Sequence, residues 1–205
     1  MRIILTLSVP IFLLSFIVRT SFISEPLYNQ AISEAEERTG IPESELRDIS
    51  RDIRFYLAGG EKREGLDPFT EREILHLKEV RGVLETLRKL QDISFFLIII
   101  SCVFLRRRSI LKDIARGSLI LSLFLLLTFF FALLKFDLFF LILHKICFRT
   151  ELWIMPEDSL LIKIFPEDFW LKSSLTVGGF LSFLSSLISL VSFLLYRKVA
   201  RGTAR

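Results

Sequence analysis

The chain has 205 residues, of which 52% are hydrophobic and 21 are phenylalanine, more apolar surface than a soluble domain of that size can bury. Yet 24% are charged, in blocks between apolar runs, the pattern of membrane spans joined by aqueous segments and not of a greasy soluble core. The net charge of +4 sits on the flanks of those runs, where anionic lipid meets it, and makes no case for nucleic acid.

The first apolar run, Ile3 to Ile23, is interrupted by Pro10 and Arg19. Arg2 ahead of it suggests a secretory signal, but Ser21-Phe22-Ile23-Ser24 is a poor cleavage site and the run is long, so a retained span is predicted. The next segment is too long for a loop and reads as helices. Ser33 to Arg38 is the end of one. Another opens at Pro42-Glu43-Ser44-Glu45-Leu46 and runs through Ile49, Ile53 and Leu57 to a stop at Gly59-Gly60. After the polar stretch Glu61 to Asp67, Thr70-Glu71-Arg72-Glu73 forms a capping box, in which threonine and glutamate satisfy each other's free backbone donors.

The helix opened by that box carries Leu77, Val80, Val83, Leu84, Leu87 and Leu90 on one stripe. At 100° per residue His76 falls between Val83 and Val80, and Glu73 falls within the stripe one turn earlier. This helix leads into the second apolar run, Ile93 to Leu105, which reaches spanning length only if Leu87 and Leu90 are included. A straight helix would lift His76 about 25 Å beyond Ile93 at 1.5 Å per residue. A bend at Gly82, or a course along the membrane surface, is therefore expected.

Leu119 to Leu134 and Leu175 to Tyr196 contain no charge and complete four predicted spans. Between them, Phe136 to Phe148 stays apolar apart from Asp137, His144 and Lys145. Trp153, Pro156, Phe165, Pro166 and Trp170 follow, beside Glu157, Asp158, Glu167 and Asp168. Rings next to acids suit the headgroup zone, so this stretch reads as a lid or interfacial helix on the outer leaflet. Gly178-Gly179 and the serines after it are expected to let the last span approach another helix closely.

Orientation follows from the basic residues. Arg106, Arg107, Arg108, Lys112 and Arg116 stand against the single acid Asp113, and the tail carries Arg197, Lys198, Arg201 and Arg205 with no acid. Ser24 to Asp92 instead holds eleven basic and sixteen acidic residues. Both termini are thus placed in the cytoplasm. The reading is an all-α polytopic membrane protein forming one membrane domain over 1–205. Its four transmembrane helices lie at about 3–23, 88–105, 117–135 and 175–196, with helical extracytoplasmic segments 24–87 and 136–174 and a cytoplasmic loop 106–116.

His76 and His144 both lie outside, amid apolar neighbours, an expensive place for a titratable ring. Zinc is one use of them, with Glu73 or Glu79, His76, His144 and Asp158 as ligands, but no paired-histidine motif supports it. A cysteine nucleophile is a second use, since Cys147 lies three residues after His144, although an isolated thiol in such a run is usually a small hydrophobe. Cys102 falls within a span, so two free thiols are expected. Motifs for phosphate, dinucleotide or serine-hydrolase chemistry are absent. A non-enzymatic membrane sensor or scaffold, or a membrane metallohydrolase, is the alternative class.

Two blocks carry a resemblance. Phe69-Thr70-Glu71-Arg72-Glu73-Ile74-Leu75-His76-Leu77-Lys78-Glu79-Val80-Arg81, preceded by Phe55-Tyr56-Leu57, is one. His144-Lys145-Ile146-Cys147-Phe148, then Trp153, Pro156, Asp158, Leu160 and Phe165-Pro166, is the other. With four spans and this length, the chain resembles the bacterial lipoprotein intramolecular transacylases over nearly its whole length. It departs at Glu79, where the family pattern leads one to expect aspartate. The resemblance implies transfer of the secondary-ester acyl chain of a lipoprotein's S-diacylglyceryl cysteine to that cysteine's own α-amino group, giving the N-acyl lyso form. It implies no cofactor, diacylglyceryl-modified lipoproteins in the outer leaflet as partners, and a multi-pass place in the bacterial cell membrane with the active site outside. His76 and His144 become the expected acid/base pair, Glu73, Glu79 and Asp158 their supports, and Trp153 and Phe165 the residues over the substrate.

Overall fold

The computed structural model describes residues 1–61 and 64–202. Lys62 and Arg63 of the polar 61–67 stretch, and Arg205 of the basic tail, lie outside the described residues. The described chain is all-α. Its helices are α1 (Arg2–Ile23), α2 (Glu25–Thr39), α3 (Glu43–Leu57), α4 (Glu71–Phe104), α5 (Arg107–Leu134), α6 (Phe136–Cys147), α7 (Leu160–Ile164) and α8 (Glu167–Gly202), with one 3-10 turn at Glu64–Leu66.

Three of these, α1, α5 and α8, are long and apolar enough to cross a membrane. The second predicted span lies within α4, whose apolar stretch is shortened by Arg88, Lys89 and Asp92 and does not reach that standard on its own. The helix is unbroken through Gly82. The loop expected over 106–116 is nearly all helix, because α4 stops at Phe104 and α5 already starts at Arg107. Basic side chains are good helix formers, so nothing in that stretch breaks the backbone ladder. In the same way α8 begins eight residues ahead of its apolar run. Pro166 precedes it, and Glu167 and Asp168 in its first turn meet the positive end of the helix dipole.

By packing the chain divides into two compact units. The first comprises residues 1–18, 87–131 and 176–205. Leu121, Leu125 and Leu181 form its buried cluster, with Leu13, Leu14 and Ile17 against them. Small polar side chains supply the rest of the interior: the Ser122 and Ser186 hydroxyls hydrogen-bond at 2.6 Å, and Ser189 donates to the Ala115 carbonyl at 2.9 Å. In lipid such bonds hold helices where the hydrophobic effect cannot. A Cβ added at Gly117 would lie 2.4 Å from the Thr6 carbonyl oxygen, so glycine here permits α1 and α5 to touch. Gly178 and Gly179 were the expected close-approach pair, and they are not: a Cβ at either meets nothing within 4 Å. Asp113 is fully buried and held by Arg2 through two 3.1 Å bonds. Large apolar side chains such as Phe96, Leu127 and Phe183 remain exposed, the surface that hydrocarbon covers.

The second unit comprises residues 19–86 and 132–175. The stripe Leu46, Ile49, Ile53 and Leu57 of α3 is buried, as its helical spacing requires. It packs on α2, whose Tyr28, Ala31, Ile32 and Ala35 are buried as well. Helix α2 closes at Gly40, left-handed at φ 71°, whose N–H reaches the Glu36 carbonyl at 2.9 Å. Helix α3 stops at Gly59-Gly60, and Arg81 of α4 donates to both of their carbonyls, at 3.0 and 2.8 Å. Leu77 and Leu84 bury the matching face of α4.

Candidate active site

Within the second unit a cavity of about 260 Å³ is lined mostly by apolar side chains, among them Phe22, Ile53, Leu57, Leu77, Phe140, Trp153 and Phe165. Both histidines line it. The sequence places His76 on the buried stripe of α4, and His144 stands in the last turn of α6. Packing then brings their rings to 6.3 Å between centroids, nearly parallel at 21°. Phe148 meets both rings, at 4.9 Å from His76 and 5.4 Å from His144. Trp153 stands 5.0 Å from His144, and Phe140 3.9 Å.

Burial sets the protonation of both rings. His76 is 8% exposed, and desolvation, aided by repulsion from His144, pushes its pKa down to about 4 against the pull of Glu79. Desolvation also lowers His144, against the hydrogen bond to Phe140. Both imidazoles are therefore neutral at pH 7. His144 Nδ1 lies 2.8 Å from the Phe140 carbonyl. A carbonyl only accepts, so Nδ1 carries the proton and Nε2 is left with the lone pair. His76 Nδ1 and Glu79 Oε2 face each other at 3.8 Å, both buried and without a hydrogen-bond partner. The other Glu79 oxygen is fixed by the Thr150 hydroxyl at 2.7 Å.

Glu73 has a different place. It is 2% exposed, and its Oε2 accepts from the Thr70 N–H at 2.7 Å and hydroxyl at 2.8 Å, while the Thr70 hydroxyl accepts from the Glu73 N–H at 3.4 Å. That is the capping box read from sequence. Its Oε1 accepts from the Ser159 hydroxyl at 2.5 Å and the Leu161 N–H at 2.8 Å. Burial works to raise this carboxyl, but the bonds from Leu161, Ser159 and Thr70 outweigh it and hold the group below the usual range. Glu73 thus ties the start of α4 to the start of α7, and its hydrogen bonds go to Thr70, Ser159 and Leu161 rather than to a histidine.

Of the other residues expected at the site, Trp153 and Phe165 line the cavity, Phe165 edge-on to Tyr28 at 5.4 Å. Asp158 is exposed and is not among the lining residues. Cys147 ends α6, and burial raises its thiol pKa, which disfavours the thiolate a nucleophile needs. Both cysteines are free. Among the described residues no three His, Cys, Asp or Glu side chains converge as a metal ion would need. Sequence reading missed Thr150, Ser159, Phe148 and Glu167. The first two act across 71 and 86 residues of chain, and no local pattern announces such partners.

The arrangement offers two neutral imidazoles in an apolar chamber, one backed by a carboxylate, which suits proton transfer during attack on a lipid-borne group. The family described as "Lit: Lipoprotein intramolecular transacylase Lit" matches residues 3–170 of this chain. The in meso structure of the membrane-integral lipoprotein intramolecular transacylase Lit from Bacillus cereus superposes with a TM-score of 0.83 at 16% identity, covering 99% of this chain and 95% of that one. The structure of a histidine-to-alanine variant of that protein gives 0.79 at 15% identity, over 99% and 93%. At such identities the likeness is one of fold. Comparison with curated protein sequences finds no match.

Proposed function

The chain belongs to the lipoprotein intramolecular transacylase family, and from that premise we propose that His76 and His144 catalyse its acyl transfer inside the apolar cavity. The substrate is a lipoprotein whose N-terminal cysteine bears a thioether-linked diacylglycerol. Its α-amine attacks the secondary ester carbonyl, the C–O bond to glycerol breaks, and an amide forms. One proton leaves the nitrogen and one arrives at the glycerol oxygen, so a single shuttled proton balances the step. No carrier is required, since donor and acceptor share one molecule.

His76 is the proton shuttle in this reading. Its Nε2 takes the proton of the amine, and the resulting imidazolium is stabilised by Glu79, which closes the 3.8 Å gap to Nδ1. The same proton then passes to the departing glycerol oxygen. His144, with its lone pair left on Nε2 by the Phe140 contact, accepts the amine's second N–H and aligns the nitrogen. The α-amine has a pKa near 8 and must be neutral to attack. An apolar chamber favours that neutral form and excludes the water that would hydrolyse the ester. Holding amine and ester together supplies the remaining acceleration. The carrying observation is the pair of neutral rings 6.3 Å apart in one cavity, with Glu79 behind one of them.

The loop charges support a four-span topology, with 88–105 as the second span, both termini in the cytoplasm, and residues 24–87 and 136–174 outside. The lipoprotein's chains then lie in the outer leaflet. The test is mass spectrometry of a lipoprotein N-terminal peptide from bacteria lacking any other N-acylating enzyme, with this chain, His76→Ala or His144→Ala expressed. Wild type alone should give an acylated amine with one chain left on the glycerol, at unchanged total mass. Each variant should be about 10²- to 10⁴-fold slower. A free amine with all three proteins sinks the assignment.

A further inference from the structure

The histidine cavity has one carboxylate in its wall, Glu167. It is the first residue of α8 and lies against Asp137 of α6; that neighbouring carboxyl, with burial, raises the Glu167 pKa, so the two groups share a proton and hold one negative charge between them. Asp168 follows directly, so three acids gather at this rim. The other titratable residues of the lining are Tyr28, His76 and His144. Tyr28 stays a phenol, since burial raises its pKa, and its hydroxyl donates to the Phe22 carbonyl at 2.6 Å. The histidines are neutral, as derived above. Among the described residues no cation lines the cavity, and Glu167 with Asp137 gives it a negative sign. Deeper in, His76 is 8% exposed, with Nδ1 turned to Glu79 at 3.8 Å and Nε2 left to meet a ligand's N–H. An apolar chamber with an anionic rim and an unfilled buried imidazole fits a ligand with apolar chains and a cationic nitrogen.

We propose that Glu167, supported by Asp137, receives the α-ammonium of the incoming lipoprotein and so selects substrates with a free amino terminus. This deepens the transacylase reading and rests on it. The acid pair holds the protonated nitrogen at the rim; there it gives one proton to bulk water, and the neutral amine moves inward to His76, whose Nε2 stays free for the transfer step. After transfer the nitrogen is an amide, uncharged, and the rim no longer holds it. Glu167 thereby favours release of the N-acyl product over retention. It is a specificity-determining residue that acts before the chemical step.

Two non-reactive competitors separate this from the transfer itself. Both carry ether-linked chains on the thioether-bound glycerol of a cysteinyl peptide. One has a free amine and the other is N-acetylated. Inhibition constants against the purified full chain, at pH 7 and low salt, give a ratio between them. Wild type should favour the free amine about two- to fivefold, the size of an exposed ion pair. Glu167→Gln should bring the ratio to unity without changing the N-acetyl constant, and Glu167→Asp should restore it. In wild type, salt at about 1 M should abolish the preference, because charges are then screened within about 3 Å. That arm holds even if a variant fails to fold. An unchanged ratio in Glu167→Gln, or a wild-type ratio indifferent to salt, overturns the proposal. Wild-type failure to convert the diacyl ester substrate would instead sink the transacylase reading.

Discussion

Replacing Glu73 by glutamine tests whether one carboxylate joins α4 to α7. In the wild type each carboxylate oxygen serves two donors, Thr70 on one side and Ser159 with Leu161 on the other. Glutamine keeps one acceptor oxygen and points an NH₂ at the other pair of donors. It can satisfy the cap or the α7 anchor, and not both. Bonds to an ionised acceptor are worth about 1.5–3 kcal/mol each. Losing two at a site 2% exposed should cost about 3–6 kcal/mol, a large part of the roughly 5–15 kcal/mol that holds a domain folded. The assay is thermal and denaturant unfolding in detergent micelles of wild type, Glu73→Gln, Ser159→Ala and the double variant. Removing Ser159 should be costly in wild type and nearly free once Glu73 is glutamine, a coupling of about 1.5–3 kcal/mol. Additivity within about 0.5 kcal/mol would refute the bridge. Activity should follow, with KM rising more than kcat falls, because α7 carries cavity residues Leu161 and Ile162.

The depressed pKa of His76 predicts how stability varies with pH. Its ordinary value is 6.5 and its folded value about 4, so between these the unfolded chain binds the extra proton. Stability from this group is complete above pH 6.5 and declines as pH falls toward 4, by about 3 kcal/mol in all. Between about pH 7.5 and 4 the unfolding midpoint of wild type should fall relative to that of His76→Phe, and parallel curves would contradict the burial argument. Thr150→Val frees the Glu79 oxygen held at 2.7 Å and should lower kcat about tenfold, as removal of an outer partner does for an oriented imidazole. Its KM should hardly change, which steady-state kinetics will show. Gly117→Val drives side-chain atoms into the Thr6 carbonyl and should cost about 1–3 kcal/mol by the same unfolding assay, whereas Gly178→Ala and Gly179→Ala should be neutral or better.

The apolar runs, the helical stripes and the capping box were legible because each depends on residues within a few positions of one another. Leu46, Ile49, Ile53 and Leu57 announce a buried face whatever covers it, and Thr70 with Glu73 declares a helix start by spacing alone. His76 and His144 stood out for a similar reason, since a titratable ring among apolar neighbours is costly enough to be noticed. Tertiary structure decided the partners. Glu73 was readable as a cap, but its second oxygen finds Ser159 and Leu161 only because α7 packs against the start of α4. Glu79 was one of three candidate supports, and it is distinguished from Asp158 by a 3.8 Å approach to His76 and by Thr150, 71 residues away. Glycine at 117, and not at 178 or 179, marks the close helix contact, because composition tells which residues permit an approach and only packing tells where one occurs. Local spacing fixes which face of an element is apolar or charged; the distance between two faces depends on every helix that packs between them, and one linear pattern does not contain it.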